Sequence, residues 1–201
     1  MAINLANNNS LANITALPSS ISGGGMTLIS EQTASSSATI DFTSGIDDTY
    51  DSYVFKFINI HPSIDGPQFL FNMSTDGGSN YNVTKTTTVF RSIHTETDAI
   101  ALISYRTATD LAQSSSYQTI NDNIGSDNDQ SLSGNLTIYN PSSDTFVKHF
   151  LCVNNTTKQD DNLQQLFIAG YGNTTSAVNA VRFQLSSGNI DSGVIKLYGV
   201  S

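Results

Sequence analysis

Tryptophan is absent, cysteine occurs once and proline four times in this chain. A single cysteine, Cys152, excludes an intrachain disulfide and any structural zinc site built from several thiolates. It lies in the apolar run FLCV, where it reads as a small buried hydrophobe. Positive charge is equally scarce: 8 Lys plus Arg stand against 17 Asp plus Glu, for a net charge of -9. Nucleic-acid backbones and anionic lipid surfaces both demand clustered cations, so neither is expected as a partner. Only 12% of the residues are charged, about half the usual share. Solubility must then rest on Ser, Thr, Asn and Gly, a composition suited to packed assemblies and hydroxyl-rich outer surfaces. No run is long enough for a membrane-spanning helix. The opening MAINLANNNS has neither the basic nor the apolar segment of a signal peptide, so export by ordinary secretion is not expected.

What is present is a succession of short β-type runs. Residues 1–25 stand apart as an arm rich in Asn and Ser, closing on Pro18 and Gly23, Gly24 and Gly25. Leu5, Leu11, Ile14 and Leu17 give the arm an apolar stripe that would either extend the edge of the domain or dock on a neighbouring subunit. From Met26 to the end the pattern is one β domain. MTLISEQ, SATIDF, YDSYVFKFINI, QFLFNMS, YNVTKTTTVFRSI, AIALISY, SSYQTIN, SGNLTIYN, TFVKHFLCV, LQQLFIAGY, AVNAVRFQLS and GVIKLYGV each read as a strand. In the third of these, Tyr53, Phe55, Phe57 and Asn59 are expected on one face, with Val54, Ile58 and Ile60 on the other. The turn TDGGSN, with its Asp and Gly residues, predicts a hairpin joining QFLFNMS to YNVTKTTTVFRSI. Ten to twelve strands separated by Gly, Pro, Asn and Asp turns, with no helical repeat and no internal repeat, predict an all-β antiparallel sandwich of jelly-roll type.

Catalytic signatures are missing: HExxH, CxxC, GxSxG and GxxxxGK[ST] do not occur. His61 is placed at a strand end, His94 in a turn and His149 in a strand, with no metal-like spacing. His149 and Cys152 are three apart on one strand and point to opposite faces, so they form no dyad. Asp47, Asp48 and Asp51, and separately Asp122, Asp127 and Asp129, read as solvated loop carboxylates and Asx turns rather than a calcium loop. No metal and no cofactor is expected. A glycosidase would need paired strand acids, yet nearly every Asp lies in a loop and the only glutamates are Glu31 and Glu96. The chain is therefore expected not to be an enzyme. For saccharide binding the candidate stacking platforms are Tyr81, Tyr105, Tyr117, Tyr139 and Tyr171, most of them expected as half-buried sheet residues.

The run SEQTASSSATIDFTSGIDDTYDSYVFKFINIHP (residues 30–62) resembles the start of a family of small virion proteins of tailed bacteriophages, those of marine cyanobacteria in particular. The similarity continues through NMSTDGGSNYN, YNPSSDTFVKHF and AGYGNTTSAVNAVRFQLSSGNIDSGVIKLYGV, so it covers nearly everything after the arm. Related domains occur as head decoration proteins and as modules of tail fibres. The resemblance implies a jelly-roll sandwich displayed on the virion surface as a homo-oligomer, a trimer by expectation, against major capsid or tail proteins. It carries no catalytic residue. Because repetitive shaft segments are lacking, a capsid decoration or cement role is expected. The alternative is a tail appendage that binds host surface glycan. On this reading the arm contributes to assembly, and removing residues 1–24 is expected to leave the fold intact while weakening it.

Overall fold

The computed structural model describes residues 25–201, and the arm residues Leu5, Leu11, Ile14 and Leu17 lie outside them. Twelve strands follow in order: β1 (Thr27–Thr33), β2 (Thr39–Phe42), β3 (Ser52–Pro62), β4 (Phe69–Ser74), β5 (Lys85–Thr95), β6 (Ala101–Tyr105), β7 (Gln118–Asn121), β8 (Leu132–Tyr139), β9 (Lys148–Thr157), β10 (Asn162–Gly172), β11 (Ala180–Leu185) and β12 (Ile190–Val200). They form two antiparallel sheets in a sandwich-like arrangement. The larger sheet has eight strands in the order β1-β12-β3-β8-β9-β10-β5-β6, and the smaller has four in the order β2-β11-β4-β7.

Each of the twelve expected strands is present. The alternation of Tyr53, Phe55 and Phe57 turns their rings inward from β3, and all three are buried. They meet Phe42 of β2, Phe69 and Phe71 of β4, and Phe183 of β11. Phe183 lies at the centre, its ring 5.2 Å from those of Phe55 and Phe57, 5.8 Å from Phe69 and 6.2 Å from Phe42. Most of these pairs are edge-to-face, the arrangement that brings the positive ring edge to the negative face. Ile40, Met73, Leu136, Ile138, Leu185, Ile195 and Leu197 complete the core between the sheets.

Two local expectations are corrected. QFLFNMS and YNVTKTTTVFRSI do not form a hairpin: β4 pairs with β11 and β7, and β5 pairs with β10 and β6. Both edges of β4 are thus taken, and the TDGGSN segment carries the chain across from the small sheet to the large one. Gly77 and Gly78 supply the left-handed backbone that this crossing requires, with φ of 70° and 90°. Asp76 organises it, accepting from the Ser74 hydroxyl and from the backbone and side-chain nitrogens of Asn80. Those bonds hold the carboxyl down at about 2. The second correction concerns the end of β3, where Asn59 adopts φ 49° and the register against β8 shifts between Phe57 and Ile60. The extra residue flips the following alternation, so Asn59 is exposed and Ile60 is fully buried. Gly193 of β12 sits against this bulge, where a Cβ would lie 2.6 Å from the Asn59 carbonyl oxygen.

Phe183→Ala removes the ring that the others share and should cost about 3–5 kcal/mol in urea unfolding. A loss below about 1 kcal/mol would show that the sheets are held by something else.

Candidate binding surface

The core just described fills only part of the sandwich. β9, β10 and β5 extend the large sheet past β8, and there polar side chains join the inward Val89, Phe150, Cys152, Leu166 and Ile168. Asn121 of β7, Asn154 of β9, Gln164 of β10 and Asp122 after β7 are buried and bonded to one another, while Gln118 of β7, also buried, accepts from Thr87 Oγ1 and donates to the Thr109 and Thr119 carbonyls. Asn121 Nδ2 donates to Asn154 Oδ1 at 2.5 Å, and Gln164 Nε2 donates to Asn121 Oδ1 at 2.7 Å and to Asp122 Oδ1 at 2.5 Å. Arg106 pairs with Asp122, and Arg91 Nη1 donates to Gln164 Oε1 at 3.3 Å. The buried amides are each satisfied, as burial requires.

Because side chains alternate, apolar residues of these strands then face outward. On β10, Gln164 is buried while its neighbour Leu163 is 52% exposed. The registers lay the outward residues in rows across the sheet. One row runs Asn135, Val153, Phe167, Phe90, Tyr105 through β8, β9, β10, β5 and β6. The adjacent row runs Thr137, Leu151, Ala169, Thr88. Phe90 and Phe167 stack with centroids 5.6 Å apart.

Two contiguous open depressions mark this face. The larger, about 430 Å³, lies among Tyr139, His149, Tyr171, Thr86, Thr88 and Leu151, floored by Ala169 and Gly170. The other, about 260 Å³, shares Leu151 and Ala169 and is lined by Phe90, Val153 and Phe167. Ala169 is the small outward residue that leaves the floor low. The His149 and Tyr171 rings lie 6.1 Å apart at 57°. Amides rim the larger depression: Gln113 Nε2 donates to Thr86 Oγ1 at 2.8 Å and to Tyr171 Oη at 3.4 Å, and Asn173 Nδ2 donates to Gln113 Oε1 at 2.8 Å.

Of the five candidate tyrosines, the structure brings Tyr139 and Tyr171 together and places Tyr105 on the same face, near the sheet's edge. Tyr81 and Tyr117 lie outside the strands. Tyr81 is buried, with the Arg182 guanidinium 4.2 Å from its ring centroid, and offers no free face. Sequence reasoning missed His149, Phe90, Leu151, Phe167 and the rim amides. The signal for the apolar ones was present in LQQLFIAGY, whose two faces are both partly apolar.

The remaining candidates sit elsewhere. His149 is exposed and Cys152 buried, on opposite sides of β9 as expected. Burial pushes the Cys152 thiol up to about 12. His94 belongs to β5 rather than to a turn and contacts Asp98 at 3.0 Å on the surface. His61 Nε2 lies 3.2 Å from the Asp127 carbonyl oxygen. Asp47 accepts from the Thr49 amide and from Tyr53 Oη, and the Thr49 bonds lower its pKa. Asp122, expected as a solvated loop carboxylate, is buried against Arg106 because the amide layer needs an acceptor there. Among the described residues, no group of three or more His, Cys, Asp or Glu side chains is placed to hold a metal ion. Comparison with protein-family models, with characterised proteins and with solved structures finds no match for the chain.

Beneath the end of the larger depression, Lys85 and Lys148 are paired in register with Gly172 from either side, and both are fully buried. Lys148 Nζ donates to the Phe146 carbonyl at 2.7 Å and also to that of Ser143. Lys85 Nζ donates to Asn72 Oδ1 at 2.5 Å and to the Val83 carbonyl at 2.7 Å. Desolvation lowers both, Lys85 to about 7. Below pH 7 Lys85 is charged in both folded and unfolded states. Between pH 7 and its unfolded value of 10.5, the unfolded chain holds a proton that the folded protein has released, so stability rises with pH. The rise should be read up to pH 9.5, before Tyr53 and Tyr81, both raised by burial, titrate in the unfolded chain and reverse the trend. Urea unfolding of Lys85→Met should lack about 2 kcal/mol of the rise seen in the wild type. An identical rise in both proteins would contradict the assignment.

Proposed function

We propose that this chain is a non-enzymatic structural protein of a tailed-phage particle, a jelly-roll module placed on the virion surface as capsid decoration or cement. The observation that carries this reading is the pairing of strands across the two sheets. β1 pairs with β12, β2 with β11, β3 with β8 and β4 with β7. This is one long nested hairpin, rolled so that β1-β12-β3-β8 faces β2-β11-β4-β7. Eight strands nested and divided in this way support a jelly-roll plan of the kind used by viral capsid and lectin domains. Two hairpin inserts, β5-β6 between β4 and β7 and β9-β10 between β8 and β11, widen one sheet only. Their outward apolar rows give the module a broad face for packing, as a homo-oligomer and against capsid or tail proteins. The ionisable side chains lining the larger depression are two tyrosines and a histidine, without a carboxylate to serve as acid or base. The resemblance of residues 30–62 and of the closing segment to phage virion proteins supports the same assignment.

A second reading, a tail appendage that binds host surface glycan, is favoured by one observation: Tyr139, His149 and Tyr171 converge on a depression rimmed by amides and hydroxyls. Aromatic faces beside amides fit the alternating apolar and hydroxyl surfaces of a sugar ring.

Cryo-electron microscopy of the purified particle should place the protein in repeated copies across the capsid lattice. Its absence from purified particles would defeat the proposal, and density confined to the tail would favour the second reading. On that second reading, calorimetry with host surface polysaccharide should show saturable binding weakened about tenfold by Tyr139→Ala or Tyr171→Ala. No binding by the wild-type protein would remove it.

A further inference from the structure

Four strands end the two sheets, and three of them carry devices that block edge-to-edge pairing. β1 holds Glu31, paired with Lys196 at 2.8 Å, and a bulge between Leu28 and Ser30. β2 is four residues long, carries Asp41, and its Asp41 carbonyl accepts from Gln32 Nε2 at 3.1 Å. β7 is four residues long and buried throughout. Short edges, charges, bulges and coverage are the usual protections. β6, the fourth, is five residues long and carries no charge, no bulge and, among the described residues, no covering segment. Its sequence is Ala-Leu-Ile-Ser-Tyr, and among the described residues it pairs only with β5. Ile103 at its centre is 81% exposed.

The hydrogen-bond phase of β6 fixes what can pair with it. Arg106 N donates to the Val89 carbonyl, and the Ile100 carbonyl accepts from Thr95 N. Bonds to one neighbour recur at every second residue of an antiparallel strand, so Ile100, Leu102, Ser104 and Arg106 turn their backbone groups toward β5. Ala101, Ile103 and Tyr105 turn theirs to the open edge. These three are symmetric about Ile103. A second β6 running antiparallel can set Ile103 against Ile103 and Ala101 against Tyr105 on both sides, each pair exchanging both N–H···O bonds.

We propose that β6 is a self-association edge, pairing with β6 of a second copy about a twofold axis through Ile103. The proposal rests on the oligomeric structural role given above and specifies its interface. The partner is a second copy because the three open residues complement themselves without any shift of register. The side chains of Ala101, Ile103 and Tyr105 stand opposite His94, Ser92 and Phe90 on the outward face. Pairing therefore continues the Val153, Phe167, Phe90, Tyr105 row into the second molecule. It also covers the most exposed isoleucine among the described residues. The contact closes with two copies, where the family resemblance implies three.

Sedimentation equilibrium of the full chain tests this, with two variants at Ile103. Ile103→Pro deletes an N–H that β5 does not use, so the β5-β6 ladder survives while the central pair is lost. Ile103→Lys keeps the backbone and sets two like charges on the axis. The wild type should sediment at about 43 kDa, twice the 21.5 kDa of one chain. Each variant should raise the dissociation constant about tenfold or more, with unchanged far-UV circular dichroism. A wild-type monomer, a trimer, or a dimer indifferent to Ile103→Lys would overturn the proposal. So would association lost in a Leu11→Asp, Leu17→Asp variant but kept in Ile103→Lys, because the arm would then be the contact. A protein that dimerises through β6 yet is absent from particles would defeat the virion assignment alone. A monomeric protein located on the capsid would defeat this inference alone.

Discussion

The fold depends on Phe183. Its ring fills the point at which Phe42, Phe55, Phe57 and Phe69 approach from both sheets, with Phe71 close by. A four-stranded sheet of short strands has little to hold it alone. What fastens it to the larger sheet is this cluster of interlocking rings, each buried to 2% exposure or less. β3 and β11 face one another where their rings meet, with β12 and β8 beside β3 and β2 and β4 beside β11.

The ring cluster reaches the inserted hairpins through Phe150 of β9, whose ring meets that of Phe71 at 5.1 Å. Beneath β9, β10 and β5 the apolar core of Phe150, Cys152, Leu166, Ile168 and Val89 gives way toward the strand ends to bonded amides, two caged lysines and the Arg106–Asp122 pair. A polar interior is costly unless its groups are satisfied; the amides are, whereas Arg106 Nε is buried without a partner among the described residues. Apolar side chains also stand outside, Leu151, Phe167 and Phe90 on these strands and Ile103 on β6, so the large sheet is apolar on both faces there.

Much of this architecture was legible in the sequence, because strand existence depends on local alternation and on turn residues, both visible in one chain. The inward set of β3 could be read as far as Phe57, where alternation is unbroken. It failed at Asn59, because a bulge is decided by the pairing with β8 and by the close approach of Gly193. The supposed β4–β5 hairpin failed for a similar reason. TDGGSN has good hairpin chemistry, but β11 and β7 already hold both edges of β4, and tertiary pairing overrides the turn. The binding face was the least legible feature. In LQQLFIAGY, Gln164 is buried and Leu163 exposed, contrary to hydrophobicity, since the amide layer across the sandwich comes from residues more than thirty positions away. Tyr139 and Tyr171 were identifiable as candidates by residue type, yet only the strand order β8-β9-β10 brings them to one depression.

On the function proposed above, the outward face of the inserted hairpins is the working surface of the protein. Hydroxyl-radical footprinting, comparing the free chain with the chain in its assembled particle, measures this most directly. The account predicts protection of Phe90, Leu151 and Phe167 on assembly, while Ile64 and Phe146, exposed elsewhere on the molecule, remain as reactive as before. Equal reactivity of Phe90, Leu151 and Phe167 in the two states would contradict it.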